Sequence, residues 1–231
     1  MNKHSIIVLC EPPIFNPTVV NQFPNLNIQY SVYLNTLLIS NWIETFTRSD
    51  NFNIVLIINK ADEEFIPHSL IPGNYKIIFY NGLEGIGNLA SLLNEGNDNN
   101  AKILLLYYNS IGLKESDIQR TFELVNQEEA SIAVGKSNKD KLIFNCSFAN
   151  DHELIDSFLN AKRDFKIYLN KISNGDFFIH AMDRFYSIDD FEDIKKLYIE
   201  LSKKESLAYC SQKMHENFND LFIEYKDLLN D

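Results

Sequence analysis

Apolar residues along this chain follow two alternating rhythms. Short continuous runs, SIIVLC (5–10), FNIVLIIN (52–59), KIIFY (76–80), KILLLYY (102–108) and SIAVG (131–135), end at polar or turn residues. Runs of that length, bounded in that way, are strands buried on both faces. Between them lie segments in which apolar residues recur every three or four positions: YLNTLLISNWIETFTRS (33–49), GNLASLLNEG (87–96) and SDIQRTFELVNQEE (116–129). Leu37, Leu38, Trp42, Ile43 and Phe46 form one core-facing stripe. Ile118, Phe122 and Val125 form another, behind Ser116 as N-cap and Asp117 in the first turn. The alternation predicts an α/β fold, a mainly parallel twisted sheet with helices on both faces, joined by right-handed crossovers.

After Gly135 the rhythm changes. SNKDK (137–141) is a polar turn between SIAVG and LIFNCSF, which form either a hairpin pair or two strands bracketing a site loop. HELIDSFLNAKRDF (152–165) reads as a helix, IYLNKI (167–172) as a short strand and FFIHAM (177–182) as another. From Ser187 the pattern is helical and charged. Phe191, Ile194, Leu197, Tyr198 and Leu201 keep a 3.6-residue period, as do Phe218, Leu221, Phe222, Tyr225, Leu228 and Leu229. The expected organisation is a main domain over 1–200 and a C-terminal helical extension over 201–231. The terminal helices would dock on the sheet, on a protein partner or on a second copy of the chain. NEGNDNNAK (94–102) reads as a surface loop.

Composition narrows the classes. With 231 residues, 45% hydrophobic and 13% aromatic, the chain can bury a core of single-domain size. A net charge of −11 and a pI near 4.9 repel a phosphate backbone, so no nucleic-acid partner is expected. Cys10, Cys146 and Cys210 are far apart, odd in number and without metal-type spacing, the usage of reduced thiols in the cytoplasm. The first apolar run stops at Glu11-Pro12-Pro13, shorter than a secretory core, and no stretch approaches the roughly eighteen apolar residues of a bilayer span. The expectation is a soluble cytoplasmic protein without a membrane partner.

Candidate chemistry gathers around ILLLYYNSIGLKESD (103–117), a buried run delivering Tyr107, Tyr108, Asn109 and Ser110 to a sheet edge, where open α/β sheets bind ligands. Tyr80, Tyr107 and Tyr108 either stack a base or sugar or fill the cleft. GLEGIG (82–87) lies between strand and helix, but its glycine spacing and Glu84 make it a helix-opening turn rather than a dinucleotide loop. The five histidines have no zinc-type spacing. His180 and Asp183 lie upstream of Asp189 and would form an acid–base set if the three converged. Ser110 and Ser147 lack the context of an activated nucleophile.

The order of these pieces resembles the small bacterial glycosyltransferase-like proteins of arsenosugar-biosynthesis type, which have the nucleotide-diphospho-sugar transferase (GT-A) fold. The likeness is carried by IIVLCEPPIFNP, by EGIGNLASLL (84–93), by ILLLYYNSIGLKESDIQRTFELV and by FYSIDDFEDIKKL (185–197). It implies a nucleotide-sugar substrate and magnesium or manganese at the diphosphate; the residues alone fix no cofactor. It places cofactor binding at Glu11, Asn109 and Ser110, a metal at Asn109 and Asp189, and catalytic acids at Asp189 and Asp140. The cleft would be formed by Glu11, Asn109, Asp140 and Asp189.

The departures from the family pattern point the other way. Where the family has a glycine and a basic run to hold phosphate oxygens, this chain has Asn16 and then Val19, Val20 and Asn21, with no cation between Lys3 and Arg48. Glu11 stands for a lysine, Asn109 for the metal-binding aspartate and Ile111 for a proline. Asn138, Lys139 and Asp140 fall near the paired glycines, and Ser187 stands for the first closing acid, leaving Asp189 for the second. An amide oxygen brings no charge to magnesium, whose sites lean on carboxylates. The expected function is therefore a divergent transferase-like protein with an eroded phosphate and metal site, weakly active or inactive. The alternative is a non-catalytic interaction module using its C-terminal helices, with the cleft plugged by Tyr107 or Tyr108.

Overall fold

The computed structural model describes residues 4–20, 23, 25–47, 52–70, 73–81, 101–128, 130–173 and 175–230, apart from the side chains of Asp183, Arg184 and Asn230. The GLEGIG turn, the expected helix over 87–96 and the loop over 94–100 lie outside these residues.

Four strands, β1 (His4–Cys10), β2 (Phe52–Asn59), β3 (Tyr75–Tyr80) and β4 (Lys102–Tyr107), pair in parallel in the order β3-β2-β1-β4. Burial on both faces explains the continuous apolar runs of β1, β2 and β4, whereas KIIFY, expected to be buried on both faces, forms the edge strand β3, in which only Tyr80 is buried. Ile6, Val8 and Cys10 join one core, while Ile7 and Leu9 join the other. The sheet continues through β7 (Leu142–Phe148), antiparallel to β4, then β6 (Ser131–Ser137), β8 (Phe178–Ser187) and the two-residue β5 (Ser110–Ile111). β6 and β7 pair antiparallel, so SNKDK is a hairpin turn, with Asp140 at φ 53°. β6 and β8 are parallel and β5 is antiparallel to β8, giving a mainly parallel sheet with a mixed half.

Helices cover both faces. α1 (Ile28–Thr47) and α2 (Glu115–Leu124) pack on the Ile6 and Val8 face, and α3 (His152–Asn160) and α4 (Phe165–Ile172) on the Ile7 and Leu9 face. α2 starts two residues earlier than its expected cap implies. Lys114 rather than Ser116 is the N-cap, and the Asp117 carboxylate accepts the Lys114 N–H at 3.2 Å. The expected strand over 167–172 is instead α4. Asp164 caps it by accepting the Ile167 N–H at 2.9 Å, and Phe165, Tyr168 and Ile172, three and four apart, are buried together. β-Formers such as Ile167 and Tyr168 disguise a short amphipathic helix. The helix expected over 152–165 stops at Asn160, because Lys162 and Arg163 take left-handed backbone at φ 47° and 67°.

The chain ends in α5 (Phe191–Leu201), α6 (Gln212–Glu224) and α7 (Lys226–Asn230). Phe218, Leu221, Phe222 and Leu229 are buried in the same core as the α1 stripe. Asn41 Nδ2 donates to the Tyr209 carbonyl at 3.2 Å, and the Tyr33 hydroxyl to the Asn217 carbonyl at 3.2 Å. The terminal helices therefore dock on α1. Cys10, Cys146 and Cys210 are unbridged and buried, and burial pushes the thiols of Cys10 and Cys146 up. Among the described residues no helix is long and apolar enough to cross a membrane.

Candidate functional site at the carboxyl edge of the sheet

The carboxyl ends of β1, β2, β4 and β8 open on one edge, because β8 is parallel to β6 and, through the antiparallel β7, to β4. Two carboxylates organise that edge. The first is Asp62, fully buried in the 3₁₀ turn (Lys60–Phe65) that follows β2. Its Oδ2 accepts the Ile14 N–H at 2.8 Å, and its Oδ1 accepts those of Phe15 at 2.9 Å and Asn16 at 2.8 Å. The loop after β1 is thus wrapped around a carboxylate of its own chain. Asn16 reinforces it by donating to the Ala61 carbonyl at 2.9 Å, and Asn35 by donating to the Ile14 carbonyl at 3.1 Å.

The second is Asp189, between the end of β8 and α5. Asn109, just beyond β4, donates from Nδ2 to the Ile188 carbonyl at 3.2 Å and to Asp189 Oδ1 at 2.9 Å, while the Ile188 N–H returns to the Asn109 carbonyl at 2.8 Å. Ser187 Oγ donates to Asp189 Oδ2, and Arg163 Nη1 forms an ion pair with Oδ1. Arg163 is held there by its left-handed backbone and by its carbonyl, which accepts the Leu142 N–H at 2.7 Å. Its guanidinium lies over the Tyr107 ring, 5.4 Å from the centroid. Burial by itself raises the Asp189 carboxyl. The Arg163 charge, the bonds from Ser187 and Arg163, and the Lys141 charge outweigh that and hold it below the ordinary range. Next to it, Asp190 caps α5 at the Asp193 N–H, 2.9 Å away, and Lys139 from the β6–β7 turn bridges Asp193 at 2.6 Å and Asp190 at 3.1 Å.

Asp189 lines a cavity of about 250 Å³ whose polar walls also include Glu11, Tyr108, Asn109 and Arg163; Asp62 stands behind it, holding the lining residue Ile14. The fold thus brings Glu11, Asn109 and Asp189 together. It does not bring the others. Ser110 is buried with its hydroxyl on the Tyr107 carbonyl at 2.8 Å, and Asp140 projects outward to Lys136 at 2.8 Å. His180 lies near the start of β8, seven residues or about 20 Å of strand before Ser187, on a separate groove of about 710 Å³, so it does not converge with Asp189. The Asp183 side chain is outside the described residues. Tyr108 narrows the cavity with its hydroxyl on Asn35 Oδ1 at 3.3 Å, whereas Tyr107 faces the opposite core, stacked on Phe158. Asp62 and Arg163 are site residues that the sequence pattern does not reveal.

The donor set can be tested against a divalent cation. A metal would need oxygens of Asp189, and Asn109, Arg163 and Ser187 all aim hydrogens at them. The amide of Asn109 cannot be reversed, because its nitrogen faces two acceptors. The described residues contain no group of three or more His, Cys, Asp or Glu able to hold a metal. Magnesium or manganese does not fit this arrangement without moving Arg163.

No family model matches the chain, and no curated protein matches it in sequence. Solved structures do match. A protein assigned as a nucleotide-diphospho-sugar transferase from Desulfovibrio desulfuricans G20 superposes over 100% of this chain and 98% of its own, with TM-score 0.72 and 12% identity. The 4-diphosphocytidyl-2C-methyl-D-erythritol synthase of Anaerococcus prevotii DSM 20548 covers 87% of this chain and 97% of its own, with TM-score 0.58 and 11% identity. A Mycobacterium tuberculosis H37Rv protein solved in complex with manganese covers 85% and 97%, with TM-score 0.53 and 10% identity. The fold is that of the nucleotide-diphospho-sugar transferase-like proteins.

Proposed function

We propose that this chain is a divergent nucleotidyl- or glycosyltransferase-like protein whose phosphate loop and metal corner have been taken over by its own side chains. It is then weakly active or inactive in metal-dependent transfer from a nucleotide sugar. The observation that carries this reading is the Asp62 carboxylate on the N–H groups of Ile14, Phe15 and Asn16. By the resemblance, this loop is where backbone donors would meet phosphate oxygens, and here those donors are already satisfied. The Arg163–Asp189 pair supports the same reading at the place implied for the cation. Three buried, unbridged cysteines suit a cytoplasmic setting.

The test is a thermal-shift titration with nucleotide sugars and nucleoside triphosphates, each with and without magnesium or manganese. A ligand that binds only the folded state raises Tm by mass action. The expected result is no metal-dependent rise at millimolar ligand. A rise that requires both nucleotide and metal overturns the reading.

A second reading, partner docking through the terminal helices, is favoured by one observation. Of the eight large hydrophobic side chains exposed among the described residues, Ile199, Leu207, Ile223 and Leu228 lie beyond residue 190. Association with a second copy, measured as solution mass and abolished by Ile223→Asp, would support it. A monomer unaffected by that change removes it.

A further inference from the structure

We infer that the small cavity binds an oxyanion directly on Arg163, without a divalent cation, so that its ligand is a phosphate ester or carboxylate of about monosaccharide size. The inference rests on the preceding reading in one respect, that the metal corner is closed.

A guanidinium presents five N–H bonds in a rigid planar fork. Arg163 commits Nη1 to Asp189, while Nε and Nη2 are buried with no acceptor. These two nitrogens are not an arbitrary pair. Their N–H bonds run side by side along one edge of the fork, the edge that grips a carboxylate or phosphate with two parallel bonds. A buried charged group left short of partners is costly, and Arg163 lines the cavity, so its unfilled bidentate edge marks a place for an incoming acceptor.

Asn109 also lines the cavity and carries a second unfilled group. Asn109 Oδ1 is buried without a donor, and the two acceptors facing Nδ2 fix which end of the amide it is. The cavity therefore asks for an oxyanion at Arg163 and a hydroxyl or amine donor at Asn109, with Glu11 as a further acceptor. Size and charge restrict the ligand further. About 250 Å³ falls below the roughly 300 Å³ at which pockets begin to enclose drug-sized ligands. Asp189 and Glu11 on the walls oppose a multiply charged diphosphate. A small hydroxylated carboxylate or phosphate monoester, with less charge than a diphosphate, satisfies all of these conditions.

The experiment uses the full chain with a chelator present and titrates glycerol 3-phosphate, glycerate or inorganic phosphate. It follows both Tm and the arginine Nε–H resonances by ¹⁵N NMR. The expected result is a saturable rise in Tm for one of the first two probes, with a shift of a single Nε–H resonance that is missing in Arg163→Lys. That variant keeps the charge and loses the fork, and should bind roughly tenfold or more weakly. The better of glycerol 3-phosphate and glycerate identifies the oxyanion, and inorganic phosphate alone reports how much the hydroxyls add. Absence of binding by every probe, or equal binding by Arg163→Lys, overturns this inference and leaves the closed metal corner standing. Binding only when manganese replaces the chelator overturns this inference and the proposed function together.

Discussion

Asp62 and Asp189 stand at the same sheet edge, each on three hydrogen bonds, yet their donors differ in kind. Asp62 is held by backbone N–H groups of consecutive residues, so its carboxylate determines the shape of a loop. Asp189 is held by the side chains of Asn109, Arg163 and Ser187, which come from three parts of the chain. The first carboxylate fixes a loop. The second is a hub, two of whose donors, Arg163 and Asn109, each retain an unfilled group.

The most severe test of this contrast is Asp62→Ala. Two buried N–H groups, of Ile14 and Phe15, and the part-buried one of Asn16 lose their acceptor, each worth about 1–3 kcal/mol, and loop relaxation recovers part of that, so a net loss of about 3–5 kcal/mol is expected in urea denaturation. A loss under about 1 kcal/mol would break the comparison, by showing that the loop keeps its shape unaided.

Asp189→Asn should cost less, about 1–3 kcal/mol, because the pair is partly hydrated and Asn109 and Ser187 can re-pair with an amide. Its signature is in pH. The Asp189 carboxyl is held below its unfolded value, so its contribution to stability is fully present above about pH 4 and is lost as pH falls through the lower folded value. The variant should therefore lose stability at neutral pH and show a shallower decline under acid. An equal decline in both proteins would mean that Arg163 does not interact with Asp189 in solution.

Asn109→Asp sharpens the contrast by restoring the acid that the resemblance expects. A second carboxylate beside Asp189 should cost about 1 kcal/mol at neutral pH, and one of the two acids should titrate higher. Manganese should stabilise this variant more when Arg163→Met is added, because the guanidinium then no longer competes for Asp189. Equal manganese response with and without Arg163 would show that the guanidinium is not what closes the corner.

How far the sequence discloses this edge follows from the same distinction. The strand runs are legible because burial on both faces demands continuous apolar residues, and Asn109 and Asp189 are legible as candidates because they follow such runs. Asp62 is not, since its burial depends on a loop 46 to 48 residues away and not on its own neighbours in the chain. Arg163 is hidden for a local reason. Two successive left-handed residues with side chains break what reads as a continuing helix, and tertiary contacts rather than propensity select that backbone. The strand reading of 167–172 fails for a related cause, since six residues are too few to separate a period of two from one of 3.6 once the residues are β-formers.

The smallest effect serves as a control on the second. His215 is held below its ordinary value by burial, with Nε2 3.1 Å from Ser206 Oγ. A depressed histidine contributes stability that is complete above its unfolded value, about 6.5, and is lost as pH falls through the folded one. His4, also depressed by burial and then by Lys102, acts in the same direction. Wild type should therefore already lose a little stability between pH 7 and pH 5, before Asp189 titrates. His215→Gln should make that upper segment shallower, with His4 supplying what remains, and leave the acid limb below pH 4 intact, whereas Asp189→Asn should do the reverse. If one substitution altered both segments, the two limbs could not be assigned to separate groups, and the acid decline would no longer measure the Arg163–Asp189 pair.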